Sequence, residues 1–277
     1  MSDKDAKRLP PISFEAHSSY VIEAGRLEFF FLWNWLKKHS DDNFRDAIRD
    51  RVDLARKTDP NIDYLDKVPV NFDHPRWKQI ENGLFELFCD LSGSGAASEF
   101  EKRAFELCRD DFIACAEYSY FKGDYWAAFS TYQCGSLKYD PPDNNYPKTV
   151  SFHIKNACAP KSIFDDPEYL PSCLMTLVAK AENEYGAERL QTETWLNSHP
   201  KWLELFPDEW KKSLSTENKE PGWGYGLWGQ FISASGKFNS KRGDILRKTG
   251  EFPYYPRRAS CSFKSLREHL EKRLNVK

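Results

Sequence analysis

Two ionisable side chains lie on the apolar face of the first helix that the sequence predicts. At 100° per residue, His17 and Glu28 share one face with Phe31 and Trp35 between residues 14 and 38. An imidazole and a carboxylate that face a protein core each need a hydrogen-bonding or charged partner. Burial also displaces the pKa values of such groups, which is how enzymes prepare acid–base catalysts. His17 and Glu28 therefore indicate a buried polar site.

A second long helix, predicted from residue 98 to about residue 122, carries Asp111 on its apolar face. We predict that Glu28 and Asp111 supply the carboxylates of a catalytic site and that His153 is its general acid/base or ligand. A divalent metal is compatible with this set. His17 and Glu28 cannot share one ion, because they lie about 16 Å apart along the helix axis. The alternative is a set of buried ion pairs that fix helix packing.

His153 precedes Cys158 by five residues in the sequence HIKNACAP. A cysteine beside a histidine can act as a nucleophile with its base. At this spacing the two side chains face each other in neither a helix nor a strand, so a catalytic pair needs a bent backbone. The favoured interpretation of Cys158 is a small residue in a turn, with His153 acting by itself.

Tryptophan is concentrated in the second half of the chain, where five of the nine tryptophans lie between residues 195 and 228. With neighbouring rings they are predicted to line an apolar pocket for a flat ligand, beside arginines that bind a carboxylate or phosphate. Core packing explains the same tryptophans, and a surface loop explains the arginines. The predicted substrate-binding residues are Trp195, Trp202, Tyr225, Trp228, Arg257 and Arg258.

Charge and cysteine content narrow the classes of protein to consider. The net charge is −2, and acidic and basic residues balance within 195–228, which argues against nucleic acid as a partner. The most apolar run, residues 27–36, is too short to cross a membrane. Seven cysteines without a CxxC pair and a polar start without a leader peptide predict a cytoplasmic protein with no membrane partner.

Helical periodicity dominates the chain and predicts an all-α fold, with room for one short strand pair. A helical bundle is predicted at 13–134, a connecting loop at 135–149, and an irregular Trp- and Pro-rich helical half at 150–277. We expect the two halves to pack as one composite domain. The segment TVSFHI, at 149–154, fits a short strand or the start of a helix.

The familiar nucleotide, hydrolase and zinc motifs are absent, so function must be inferred from the buried polar groups. We predict an enzyme that uses His and carboxylate groups in an aromatic-lined pocket on a small-molecule substrate, as a lyase, isomerase or hydrolase. No cofactor other than a possible divalent metal is indicated. The alternative is a non-catalytic helical module that docks a protein partner through its Trp-rich half or its basic C-terminal end.

Overall fold

The computed structural model describes residues 12–58, 70–93, 95–121, 132–220 and 222–275. The chain forms two compact units, and each is built from two stretches of sequence. Unit 1 comprises Met1–Ala127 and Pro221–Pro253, and unit 2 comprises Ala128–Glu220 and Tyr254–Lys277. The stretch 221–253, which the sequence groups with the second half, thus belongs to unit 1. The single composite domain stays a prediction.

Helices make up most of the described chain. They are α1 (Phe14–Lys38), α2 (Phe44–Asp50), α3 (Leu54–Lys57), α4 (Pro75–Asp90), α5 (Ala96–Phe121), α6 (Tyr169–Tyr185), α7 (Pro200–Leu203), α8 (Asp208–Lys212), α9 (Tyr225–Trp228), α10 (Ser240–Thr249) and α11 (Phe263–Asn275). Among the described residues, no helix is both long enough and apolar enough to cross a membrane.

Unit 1 is built around the contact between the two longest helices, α1 and α5. Ser13 caps α1 by accepting a hydrogen bond from the Ala16 N–H at 3.2 Å. Gly25 brings α5 close to α1, because a Cβ added there would lie 2.2 Å from the ring of Phe112. The ring of Phe29 meets that of Phe112 edge-on at 6.0 Å. Helix packing therefore organises unit 1, while the bundle bounds predicted at 13–134 stay a prediction.

Unit 2 contains a mixed four-stranded sheet, so the all-α prediction is wrong. The strands are β1 (Leu137–Tyr139), β2 (Thr149–Ile154), β3 (Arg189–Thr194) and β4 (Arg257–Ser262). Their order is β1-β2-β3-β4, with β2 and β3 parallel and the outer pairs antiparallel. Helix α6 makes the crossover between the two parallel strands, as a parallel connection requires.

One face of the sheet is buried and the other is polar, as alternation along the strands requires. Val150, Phe152, Leu190 and Cys261 are almost completely buried. Ser151 and Gln191 lie on the opposite face and are joined by a 3.1 Å hydrogen bond. The sheet is difficult to predict from the sequence because strands β3 (RLQTET) and β4 (RRASCS) contain few apolar residues. Only TVSFHI gave a strand signal, and it forms β2 over its whole length.

The side chain of Asn197 is the polar centre of unit 2 and is completely buried. Its Nδ2 donates to the carbonyl oxygens of Thr192 at 3.0 Å and Arg257 at 2.7 Å. Its Oδ1 accepts the indole N–H groups of Trp202 at 3.0 Å and Trp210 at 3.2 Å. Since carbonyls only accept and indoles only donate, this network fixes the orientation of the amide. One side chain thus joins two strands to the tryptophan core.

We predict that Asn197→Leu lowers the free energy of unfolding by about 3 kcal/mol or more, because two carbonyls and two indoles lose their partner in a dry core. Urea unfolding followed by tryptophan fluorescence measures this change. Asn144→Leu is the matched control, since Asn144 is exposed in the loop before β2, and its effect should stay within about 0.5 kcal/mol. Equal unfolding midpoints for the two variants would contradict the role given to Asn197.

Candidate functional site

Glu28 lies in unit 1 with no exposed surface and forms a buried ion pair. Its Oε1 accepts from Lys57 Nζ at 2.6 Å, and its Oε2 accepts from the Asp53 backbone N–H at 3.3 Å. Lys57 Nζ also lies 3.6 Å from Asp53 Oδ2. Burial raises the pKa of Glu28 to about 7, while Lys57 opposes that shift. The charged partner that we predicted for Glu28 is therefore Lys57 of α3.

His17 is also buried in unit 1, close to the start of α1. Its Nε2 lies 2.7 Å from the hydroxyl of Ser119 on α5. Burial lowers the pKa of His17 to about 4, because the charged imidazolium loses its hydration. The side chain is therefore neutral at physiological pH and joins α1 to α5.

Asp111 pairs with Arg76, whereas Glu28 pairs with a lysine. Both of its carboxylate oxygens accept from the Arg76 guanidinium, at 3.0 Å and 2.5 Å, in a bidentate pair. Arg76 lies in the first turn of α4, so this pair joins α4 to α5 at the surface of unit 1. The carboxylates of Glu28 and Asp111 thus serve separate helix contacts.

His153 belongs to unit 2, whereas Glu28 and Asp111 belong to unit 1. It lies on β2 with its side chain half exposed, and its Nε2 is 2.6 Å from Asp140 Oδ2. Lys138 of β1 is its register partner across the hairpin. Within the described ranges, no group of three or more His, Cys, Asp or Glu side chains is arranged to hold a metal ion. The joint catalytic role of these three residues stays a prediction.

The predicted substrate-binding residues have different surroundings. Trp202 is fully buried against Asn197, whereas Trp228 is buried in unit 1, where its ring meets that of Phe31 at 5.4 Å. Trp195 is half-buried in unit 2. The side chain of Tyr225 lies outside the described part of the chain.

The two predicted ligand-binding arginines have partners within unit 2. The Arg257 Nε donates to the Ser215 carbonyl oxygen at 2.7 Å. Arg258 pairs with Glu193 at 3.1 Å across the β3–β4 ladder. Both contacts hold strand β4, so these arginines lie on a strand and not in the surface loop that was the alternative for them, and their ligand-binding role stays a prediction.

The end of the sheet at which β2 and β3 both terminate gathers several connecting segments. We call this end the carboxyl edge, and it comprises residues 132–136, 155–168, 195–199 and 254–256. The first and last segments reach it because β1 and β4 run antiparallel to their neighbours and begin there. Ligands of open α/β sheets bind beyond the carboxyl ends of parallel strands. The topology therefore marks this edge as the candidate functional site.

Four half-buried rings form one cluster at the carboxyl edge. His199 stacks on Phe164 with ring centroids 5.7 Å apart, and Trp195 stacks on Tyr254 at 5.8 Å. The rings of His199 and Tyr254 meet edge-on at 5.4 Å, which joins the two stacks. We call these four residues the edge aromatic cluster. Their exposed ring surface can bind a flat, apolar group.

Hydroxyl groups tie the segments of the carboxyl edge together. The Ser136 Oγ, completely buried, lies 3.0 Å from the Tyr169 hydroxyl and accepts from the Ala157 N–H at 3.0 Å. Burial raises the pKa of Tyr169, and the neighbouring thiol of Cys158 acts in the same direction. Cys158 occupies the turn after β2, where its N–H donates to Asn156 Oδ1 at 2.9 Å.

Lys155 is the first residue after β2 and has the most displaced pKa among the basic groups of this edge. Burial lowers that pKa to about 7, and the neighbouring positive charge of Lys138 acts in the same direction. Sequence reasoning missed Lys155, Phe164 and Tyr254. Their shared position depends on the parallel pairing of β2 with β3, for which the sequence offers no local signal. Trp195 was predicted to line a pocket, though with other neighbours.

No protein-family model, no curated protein and no solved structure matches this chain.

We predict that the contribution of His17 to stability falls as the pH drops from about 6.5 to about 4, because the unfolded chain then protonates His17 while the folded chain does not. The lost free energy of unfolding is up to about 3 kcal/mol. His17→Gln removes this dependence, so the stability difference between wild type and variant shrinks over that range. Chemical unfolding across pH measures it, and the difference should be constant between pH 7 and 8. A constant difference down to pH 4 would disprove the assignment.

We predict that Glu28→Ala lowers the free energy of unfolding by about 3–5 kcal/mol, because Lys57 loses its closest carboxylate in a buried place. The double variant Glu28→Leu with Lys57→Met should recover most of that loss, since it removes both charges. A double-mutant cycle from denaturant unfolding measures the coupling. Additive effects of the two substitutions would show that the ion pair is not what holds Glu28.

Proposed function

We propose that this chain is an enzyme that binds a small molecule at the carboxyl edge of unit 2. The observation that carries this proposal is the edge aromatic cluster. Trp202, Phe206 and Trp210, from the same unit, are completely buried, whereas the four residues of the cluster are only partly buried. Partly exposed, stacked rings beyond the carboxyl ends of a parallel strand pair support the binding of a flat substrate.

The chemistry that we propose is proton transfer by nitrogen groups at this edge. His199 supplies an imidazole within the ring cluster, and histidine is the side chain that enzymes use most often as a general acid or base. Lys155 supplies an amine whose pKa is lowered to about 7, which suits a general acid or base. Elimination, isomerisation and hydrolysis all use such groups. The carboxylates of Glu28 and Asp111 are not part of this proposed site.

A cytoplasmic location is part of the proposal. All seven cysteines are free thiols, and five of them are buried. Free buried cysteines are typical of proteins that work in a reducing compartment.

The rival function is a non-catalytic module that docks a protein through the basic C-terminal end. Much of that positive charge has intramolecular partners: Arg247 binds Glu101, Arg258 binds Glu193 and Arg267 binds Glu182. The basic side chains at the end of α11 also have partners within the chain. They line a shallow groove of about 370 Å³, where His269 and Arg273 both hydrogen-bond to the Glu204 carbonyl oxygen. Charges used in this way favour the enzyme proposal over docking by the basic end.

We predict that flat probes bind to the carboxyl edge through ring stacking. Ligand-observed NMR with nicotinate, indole-3-carboxylate and adenosine should detect binding to the wild-type protein. Trp195→Ala combined with Tyr254→Ala should weaken it about tenfold, because both members of one stack are lost.

Tyr146→Ala is the matched control, since Tyr146 is an exposed ring of the same unit that lies before the amino end of β2. This variant should bind the probes like the wild type. Failure of all three probes to bind, or equal binding by the double variant, would reject the edge aromatic cluster as a substrate site and leave the docking module as the better proposal.

A further inference from the structure

We propose that Cys158 and Cys173 are a reversible oxidation site, at which a peroxide converts the two thiols into a disulfide. Both cysteines belong to unit 2, where Cys158 lies at the carboxyl edge and Cys173 in the second turn of α6. Neither the edge aromatic cluster nor a bound substrate takes part in this chemistry, so it stands apart from the proposed function. Its basis is the position of two sulfur atoms around one hydroxyl group and their unequal exposure.

The hydroxyl group of Tyr169 is the point on which the two thiols converge. Gly135 leaves room beside it, because a Cβ added to that glycine would lie 2.7 Å from Cys173 Sγ and 3.0 Å from Tyr169 Oη. The thiol of Cys158 neighbours the same hydroxyl from the turn after β2. A disulfide forms where two sulfur atoms can meet without a large movement of the backbone. The shared neighbour places the two thiols in such a position.

Hydrogen bonds hold the turn that carries Cys158 beside α6. Ser136 Oγ lies 3.0 Å from Tyr169 Oη. The same Oγ accepts from the Ala157 N–H at 3.0 Å, which fixes the residue before Cys158. The Cys158 carbonyl oxygen accepts from the Lys161 N–H at 2.9 Å, which closes the turn. The turn therefore presents the Cys158 thiol to the first two turns of α6.

The thiols of this region differ in their access to a dissolved oxidant. Cys158 is partly exposed, whereas Cys173 is buried with 6% of its surface exposed. A third thiol, that of Cys134, neighbours Cys173, and burial raises its pKa to about 11. Because the thiolate is the form that reacts with a peroxide, Cys134 stays unreactive at neutral pH. Cys158 is therefore the sulfur that a peroxide meets first, and Cys173 is the neighbour that captures it.

The reaction with hydrogen peroxide takes two steps. The Cys158 thiolate attacks one oxygen atom, so that an S–O bond forms, the O–O bond breaks, and hydroxide leaves and takes up a proton. The Cys173 thiol then attacks the sulfur of the Cys158 sulfenic acid. An S–S bond forms, the S–O bond breaks, and the hydroxyl group leaves as water with the proton of the thiol. The two cysteines lose two electrons and two protons, and the peroxide becomes two molecules of water.

Peptide mapping of the native full chain tests the pairing. About one equivalent of hydrogen peroxide is added near neutral pH, the remaining thiols are alkylated, and the digest is analysed by mass spectrometry. We expect a link between the peptides of Cys158 and Cys173 that dithiothreitol removes. A link from Cys134 to either of them, or a link that forms only in urea, would overturn the proposal.

Dimedone trapping separates the roles of the two cysteines. Dimedone labels a sulfenic acid that no thiol has captured, so Cys173→Ala should increase the labelling of Cys158 by about tenfold or more over the wild type. Cys158→Ser should lose both this label and the disulfide. Equal labelling of Cys158 in the wild type and in Cys173→Ala would show that Cys173 captures nothing and would reject the pair.

Cys89→Ser is the matched control, because Cys89 is an exposed free thiol of unit 1. This variant should form the link between Cys158 and Cys173 at the rate of the wild type. Oxidation that simply follows exposure, with Cys89 modified while Cys158 remains a thiol, would contradict the proposal. The peptide map of the wild type needs no substitution, so it decides the pairing even where Cys173→Ala fails to fold.

Discussion

The buried amide of Asn197 is the interaction on which the architecture of unit 2 depends. It joins a carbonyl of β3 to a carbonyl at the start of β4 and receives the indole N–H groups of two core tryptophans. Because Leu196 and Asn197 face inward, the residues on either side, Trp195 and Ser198, are left half exposed. This turn therefore contributes Leu196 and Asn197 to the core and Trp195 to the carboxyl edge.

Unit 1 places polar groups in its core differently, by pairing charges between elements. Glu28 binds Lys57, while two further buried carboxylates bind arginines: Glu81 binds Arg49 and Glu101 binds Arg247. Each pair joins elements that are distant in sequence, and each carboxylate would be costly to bury without its cation. Such pairs between elements suit the fixing of helix packing.

Local signals were sufficient to predict the helices but not the sheet. Ser13 caps α1, and Gly186 ends α6 in the left-handed conformation that a C-terminal glycine favours. The strand β3 holds one strongly apolar residue, Leu190, and its buried threonines look like surface residues in the sequence. The segment is a strand because it pairs with β2 and β4. Pairing between segments that are far apart in the sequence produces no periodic pattern of apolar residues within β3.

The candidate site was harder to predict than the fold, because it depends on which of several similar residues remain exposed. Trp195 and Trp202 are seven residues apart and chemically identical, yet one lines the carboxyl edge and the other binds Asn197 in the core. Lys138 and Lys155 also look like ordinary surface lysines until the hairpin makes them diagonal neighbours. Sequence composition drew attention to the aromatic and basic residues of the second half of the chain. The crossover through α6 places β2 beside β3, and this pairing decides which of the aromatic and basic residues meet at the carboxyl edge.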